Sequence, residues 1–259
     1  MSKACIKFLG TGGARYVVAK QLRYSAGVFL HACGQNVLID PGPGTLVRMA
    51  KSRPRIDTGI IDAVILTHSH IDHVSDVNVL VDAMTEGGEC RRGRLFAPRE
   101  CIEGSDAVIY NYLRDFLEEI VVLEEKTSYR TGELEFSTSI RHRHPAETYG
   151  LIFSIEDKKI SFLPDTGYFE GLAESYLRSD VLIVNTVLRT FKQGASERHL
   201  SFDDLEQLIE LLSPAKLVMT HFGMGMLMAK PPKLAEKLSK ESGVEVIAAS
   251  DGMRLKIAP

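Results

Sequence analysis

The amino-acid sequence predicts an α/β (α+β) chain built from two sheets covered by helices. Three observations carry that expectation. Short β-rich runs bounded by Gly, Pro and Asp occur in both the first and the second part of the 259 residues. Apolar residues at helical spacing follow several of those runs. No short-period repeat or low-complexity linker divides the chain, so residues 1–259 read as a single domain.

Taken in order, Ile6–Leu9 is a strand that ends in Gly10-Thr11-Gly12-Gly13, where missing side chains let backbone approach backbone. Gly27–His31 and Asn36–Asp40 form a hairpin pair about Cys33-Gly34. Asp40-Pro41-Gly42-Pro43-Gly44 stops it, and Thr45–Lys51 reads as a short helix. Ala63–Thr67 is a continuous β-rich run, the mark of a buried strand. Val74–Met84 carries helical spacing, with Val77, Leu80, Val81 and Met84 on one face. Arg94–Ala97 reads as a strand and Ala107–Phe116 as a helix. Further strands are expected at Leu134–Arg143, Tyr149–Ile155, Ile160–Leu163 and Val181–Asn185. A helix over Phe202–Leu212 takes Ser201 as its N-cap, with Asp204 at the third position. Leu217–Thr220 is a strand running into His221, and a last helix opens at Pro231-Pro232 and stops before Gly243. Val244–Ala248 and Met253–Ile257 read as a closing hairpin about Asp251-Gly252.

With 44% hydrophobic and 25% charged residues, the chain can bury a core without disulfides or other staples. A formal charge of −3 disfavours an extended nucleic-acid surface, though it leaves room for a local basic patch such as Arg91, Arg92 and Arg94. The four cysteines, Cys5, Cys33, Cys90 and Cys101, are widely spaced and read as reduced thiols of a cytosolic protein. The N-terminus, from Met1 to Phe8, lacks a signal-peptide core, and no apolar stretch nears the roughly 18–20 residues of a membrane span. A cytoplasmic location with no membrane partner is expected; a homo-oligomer is compatible with the sequence.

The chemistry concentrates in His68-Ser69-His70-Ile71-Asp72-His73, directly after a buried strand. His68 and His70 diverge on a helix but share a side in an extended segment. Nitrogen and oxygen donors together suit Zn²⁺, Mn²⁺ or Fe²⁺, and the lack of Cys argues against a closed structural zinc site.

The run His68-x-His70-x-Asp72-His73, preceded by Val64–Thr67, resembles the hallmark of the metallo-β-lactamase fold superfamily. His144 followed by Gly150, Asp165 in Phe162-Leu163-Pro164-Asp165-Thr166-Gly167, and His221 after Leu217–Thr220 match that family's remaining motifs in order. The resemblance implies a four-layer αββα sandwich and a metal-dependent hydrolase. It also implies two divalent metal ions, with zinc the first expectation and Mn or Fe as alternatives. His68, His70 and His144 would hold one metal, Asp72, His73 and His221 the other, and Asp165 would bridge them. The pair would share a hydroxide as nucleophile, which Asp72 could orient. Asp40 is either a partner for a ligand histidine or a cap for the turn that follows it. His142 shares the strand parity of His144 and competes with it. Asp180 and Asp251 end segments but lack the bridging motif, and His31 reads as structural.

His199, in Arg198-His199-Leu200-Ser201, resembles the extra histidine of the ribonuclease Z-like phosphodiesterase branch and is expected to act on the phosphate. Only 20 residues separate His144 from Asp165, too few for the long tRNA-gripping arm of ribonuclease Z. The layout is closer to the small cyclic-phosphodiesterase relatives, although the cysteine cluster many of them carry is absent. The expected substrate is a small or cyclic phosphodiester; the alternative is a lactone, thioester or other acyl substrate. Met224, Met226 and Met228 are read as core filling or as an apolar wall beside His221.

Overall fold

The computed structural model describes residues 4–25 and 27–257. Met1-Ser2-Lys3, the start of the segment read above as lacking a signal-peptide core, lie outside the described residues. Fourteen strands are present among the described residues, in two seven-stranded sheets. The first sheet holds β1 (Cys5–Phe8), β2 (Val28–Ala32), β3 (Gln35–Ile39), β4 (Ala63–Ile65), β5 (Arg94–Pro98) and β6 (Glu119–Leu123), with β14 (Arg254–Lys256) on the far side of β1. The second holds β7 (Ser128–Thr131), β8 (Leu134–Arg141), β9 (Tyr149–Ile155), β10 (Lys158–Leu163), β11 (Val181–Asn185), β12 (Lys216–Thr220) and β13 (Glu245–Ala248). Each sheet is part antiparallel and part parallel: β3 to β6 run parallel in one, β10 to β13 in the other.

Alternation of buried side chains builds the layers. Phe8, Leu30, Ile39 and Ile65 from the first sheet meet Phe136, Phe153, Phe162 and Ile183 from the second, forming the inner core. The opposite faces of the strands carry Leu38, Val64 and Leu95 outward against Met49, Val77, Leu80, Val81 and Met84 of the helices at Thr45–Lys51 and Val77–Met84. On the other side Leu182, Val184 and Leu217 meet Leu205, Leu208 and Leu212 of the helix Asp204–Leu212, and Leu234 and Leu238 of Pro231–Ser242. Helix, sheet, sheet and helix stack in that order, the expected αββα sandwich.

Several expectations are corrected. Val244–Ala248 and Met253–Ile257 do not form a hairpin: β13 pairs with β12 and β14 with β1, in different sheets. Asp251-Gly252 is a turn, but it carries the chain from one sheet to the other, with the Asp251 carboxylate accepting from Thr11 Oγ1 at 2.7 Å and Tyr24 N at 3.0 Å. The Val74–Met84 helix is broken into Ile71–Val74 and Val77–Met84. At the break, Asp76 donates its N–H to Pro41 O and accepts from Leu46 N, fixing the turn after β3 instead of continuing the helix. The Ala107–Phe116 helix shrinks to Asn111–Arg114, because the Asn78 side chain takes the carbonyl of Val108 and the N–H of Tyr110. The strand Ala63–Thr67 stops at Ile65, and Leu134–Arg143 stops at Arg141. Strands β6 and β7 fall where the sequence showed no clear signal. The helix read from Phe202 begins at Asp204; Asp204 Oδ2 accepts both the Ser201 N–H and hydroxyl at 2.7 Å, so only the carboxylate half of the capping box forms.

Candidate metal centre

The strand ends that carry the expected ligands converge on one rim. Thr67 to His73 leave β4, His142 to His144 leave β8, Asp165 follows β10 and His221 follows β12. The glycine loop after β1 completes the rim. A β-carbon on Gly13 would lie 2.3 Å from the His221 ring, so glycine is what lets this loop close over the imidazole.

Three groups of ligand atoms form, each with its atoms within 4.8 Å of one another: His68, His70, His144 and Asp165; Asp72, His73 and His221; and Asp40, His68 and His73, the last tied together by hydrogen bonds. Asp165 lies between the first two, with Oδ1 3.6 Å from His221 Nε2. Asp72 Oδ2 is 3.6 Å from the same nitrogen and 4.0 Å from His73 Nε2. His70 Nδ1 and His144 Nε2 face each other at 3.0 Å.

Asp40 sets the tautomers. His73 Nδ1 donates to Asp40 Oδ2 at 2.9 Å. Thr67 Oγ1 donates to the same oxygen at 2.7 Å, and its lone pair accepts from His68 Nδ1 at 3.0 Å. His144 Nδ1 donates to Arg198 O at 2.9 Å. Each ring thereby spends its proton outward and turns the lone pair of Nε2 into the centre. The Nε2 atoms of His68, His73 and His221, and Nδ1 of His199, are buried and have no hydrogen-bond partner among the described residues. Leaving a buried polar atom unpaired costs on the order of 1–3 kcal/mol, so four such atoms converging beside two carboxylates fit a site that holds divalent metal. Asp40 therefore serves the histidines, and both it and His221 sit at positive φ, 48° and 57°, backbone strain concentrated at the site.

The electrostatics agree with cation binding. Burial lowers the pKa of His73, but Asp72 and Asp40 outweigh it and push the group up to about 9. The carboxylates thus favour a positive charge at this point, a proton that a metal ion bound at Nε2 would displace. His68, whose ring packs beside His73, is kept well below the usual range by burial and by the His73 charge. Burial would raise Asp165, yet His221 and His199 hold it well below the ordinary carboxylate range. His144 is lowered to about 4 by burial.

His142 is separated from the centre. Its Nδ1 donates to Asp165 O at 3.2 Å and its Nε2 accepts from the Tyr176 hydroxyl at 2.7 Å, a buried neutral imidazole whose pKa burial lowers to about 4. His199 does reach the centre: Nδ1 is 3.2 Å from Asp165 Oδ2 and its ring centroid 5.2 Å from that of His144. Burial lowers its pKa, and Asp165 more than restores it, so the net shift is upward.

A groove of about 910 Å³ opens over these residues, lined by His70, Asp72, His144, Asp165 and His199 together with Arg15, Arg189, Lys192 and Arg198. Those four cations, and Tyr16 beside them, were not singled out in the sequence; Arg15 and Tyr16 come from the short helix Ala14–Ala19 and the others from the loop after β11, which only the fold brings together. Asn185 was missed too. Its Nδ2 donates to Asp165 Oδ1 at 2.9 Å, and its place at the end of β11 was the signal available. Arg91, Arg92 and Arg94 line a separate cavity and spend donors on Leu117 O, Ile61 O and Glu119. Met226 is buried in the outer core, whereas Met224 lines the groove and Met228 is exposed. Asp180 accepts from Lys159 N, and His31 pairs with Asn36, both structural. No helix among the described residues is long and apolar enough to cross a membrane.

Comparison with known proteins agrees with this geometry. The β-lactamase superfamily domain matches residues 35–222, well over half of the chain. An uncharacterised protein of Methanocaldococcus jannaschii is 30% identical over 97% of this chain and 94% of its own length. Ribonuclease Z of Borrelia garinii subsp. bavariensis is 23% identical, covering 97% of this chain and 96% of that one. Among solved structures, the metallo-β-lactamase fold protein YhfI of Bacillus subtilis superposes with a TM-score of 0.80 at 17% identity, covering 98% and 100% of the two chains. A diphosphatase of the PhnP family gives 0.73 at 21% identity, covering 99% and 98%. The chain belongs to the metallo-β-lactamase superfamily, and its fold and His/Asp clusters define a hydrolase that works with divalent metal ions.

Proposed function

We propose that the protein is a dinuclear phosphodiesterase acting on a small or cyclic phosphodiester. The observation that carries this reading is His199, held against Asp165 at 3.2 Å and facing a groove whose other cations are Arg15, Arg189, Lys192 and Arg198. Arg189 is paired with Asp203 at 3.1 Å, which leaves Arg15, Lys192 and Arg198 for an anion. A phosphodiester is anionic throughout its reaction and gains from such a lining, whereas a neutral lactone or ester gains little. Similarity to a ribonuclease Z and to a PhnP-family diphosphatase supports the same substrate class.

In this reading His68, His70 and His144 would hold one metal and Asp72, His73 and His221 the other, and Asp165, which lies between these two groups, would serve both. Bound there, two divalent ions, zinc first among them, supply Lewis acidity and lower the pKa of water toward neutrality. The remaining work belongs to side chains. Asp72 orients the attacking water. His199, with its pKa raised by Asp165, carries a proton to donate to a phosphate oxygen as charge develops. Asp165 lies 3.2 Å from that imidazole and supplies the charge beside it, while Asn185 fixes Asp165. The groove admits the phosphate from solvent, with Tyr16 and Met224 offering apolar contact to the groups it links.

The test is turnover of bis-p-nitrophenyl phosphate by protein loaded with zinc or manganese, set against p-nitrophenyl acetate, a lactone and a thioester. Hydrolysis of the phosphodiester is expected to exceed that of each acyl substrate. Acyl turnover with the phosphodiester untouched overturns the reading.

A further inference from the structure

On the outer face of the first sheet, away from the metal centre, a cavity of about 190 Å³ is lined by Cys5, Lys7, Phe29, His31, Asn36, Pro54, Arg55, Ile56, Ile60 and Arg254. Its floor is Lys7, which is 9% exposed. The ammonium donates to Ser52 Oγ and to Arg53 O, both uncharged. Among the described residues no carboxylate forms an ion pair with Lys7, Arg55 or Arg254, and no acidic side chain lines the cavity. Lys7 and Arg254 are moreover direct partners across the β1–β14 pair. Like charges placed opposite each other in an antiparallel pair destabilise it. A buried cation without a counter-charge is costlier still.

We infer that this cavity is a second binding site, for a small organic anion with one charged head on an apolar body. The head takes the Lys7 ammonium and the Arg254 guanidinium, relieving their repulsion through charge-assisted hydrogen bonds. Arg55 adds positive charge at the rim. The body lies against Phe29, Pro54, Ile56 and Ile60, which give the cavity its apolar side. The volume is below the roughly 300–1,000 Å³ of sites for drug-sized ligands, which limits the occupant to about the size of a substituted benzene ring. Lowering of the Lys7 pKa by burial and by Arg254 and Arg48 is the cost that an anion would reverse.

Benzoate is the probe. Calorimetric titration of the metal-loaded protein in about 100 mM chloride is expected to show one saturable site, so that ionic screening alone does not account for the heat. Arg254→Gln, a change at an exposed position, is expected to weaken benzoate at least about tenfold. Turnover of bis-p-nitrophenyl phosphate, where present, is expected to stay the same in that variant. Lys7→Met abolishes binding if the variant folds; Arg254→Gln decides the matter if it does not. Absence of a saturable site, equal affinity in Arg254→Gln, or loss of the site on chelating the metals overturns the inference. None of these outcomes depends on which substrate the metal centre hydrolyses.

Discussion

The hydroxyl of Tyr176 lies 1.6 Å from the point where a β-carbon on Gly150 would stand. Tyr176 can therefore reach His142 Nε2 only because residue 150 is glycine, and His142 in turn donates to the carbonyl of Asp165. Gly150 was noticed in the sequence for its spacing from His144; the structure supplies its physical reason. Gly150→Ala is expected to expel the Tyr176 ring from a fully buried place and cost about 1–3 kcal/mol or more, as overpacking does. The thermal midpoint should fall by roughly 2–4 °C per kcal/mol in a chain of this size. Tyr176→Phe keeps the ring and leaves only His142 Nε2 unpaired, a milder loss of about 1–3 kcal/mol. Equal midpoints for wild type and Gly150→Ala, by calorimetry, would show that the Tyr176 ring moves aside freely.

Asp40 supports two histidines at once, His73 directly and His68 through Thr67. Asp40→Asn turns one carboxylate oxygen into an NH2 donor, so either the Thr67 N–H at Oδ1 or the His73 N–H and Thr67 hydroxyl at Oδ2 lose their acceptor, and the support of the two imidazoles is weakened. Metal affinity should drop about 10–100-fold, the usual effect of removing the partner of a ligand histidine. Competition with a chromophoric chelator measures it. Unchanged affinity would mean that the packing of the His73 ring, not Asp40, holds the imidazole in place.

His199 and His144 are neighbours with different expected losses. His144→Ala removes a nitrogen from one ligand group and should lower bound metal below wild type. His199→Ala should leave metal content intact and lower kcat by about 10²–10⁴, the range for losing a positioned proton donor. Elemental analysis beside bis-p-nitrophenyl phosphate kinetics separates the two. If His199→Ala loses metal in proportion to activity, His199 is a ligand and the division of roles drawn above is wrong.

The ligand cluster was legible because its chemistry is local. His68, His70, Asp72 and His73 follow one buried strand within six residues, and no apolar environment tolerates them unpaired. The spacing of His144 to Gly150 favoured His144 over His142, but strand parity could not separate them. Strand parity puts both on one face, but β8 ends at Arg141. Beyond it His142 N bonds to Thr148 O and His144 N to His142 O, a turn in which parity no longer applies. The misread hairpin at Asp251-Gly252 has a related cause. A turn signal is local, whereas sheet membership is decided by distant partners, here β1 and β12. The groove cations were invisible for the same reason, since Arg15 of the helix Ala14–Ala19 and Arg189 of the loop after β11 line one groove only once the chain is folded.

Two cysteines are exposed, Cys33 and Cys90, and two are buried, Cys5 and Cys101. Native protein should therefore titrate two thiols with a chromogenic disulfide reagent, and the other two only after unfolding. Cys101 makes a sharper prediction. Burial, reinforced by Glu100, pushes its thiol well above the ordinary range. A raised folded-state value means the unfolded chain loses the proton first. Its stabilisation is complete below about pH 8.5, the unfolded thiol's pKa, and is lost as pH climbs, by about 1.4 kcal/mol per unit. Tyr149 and Tyr176 are also raised by burial and act in the same direction above about pH 10. Between pH 9 and 10, then, Cys101→Ser should flatten the fall in urea midpoint relative to wild type, whatever its cost at pH 7. A slope equal to that of wild type in that window would show that Cys101 is not what couples stability to alkaline pH.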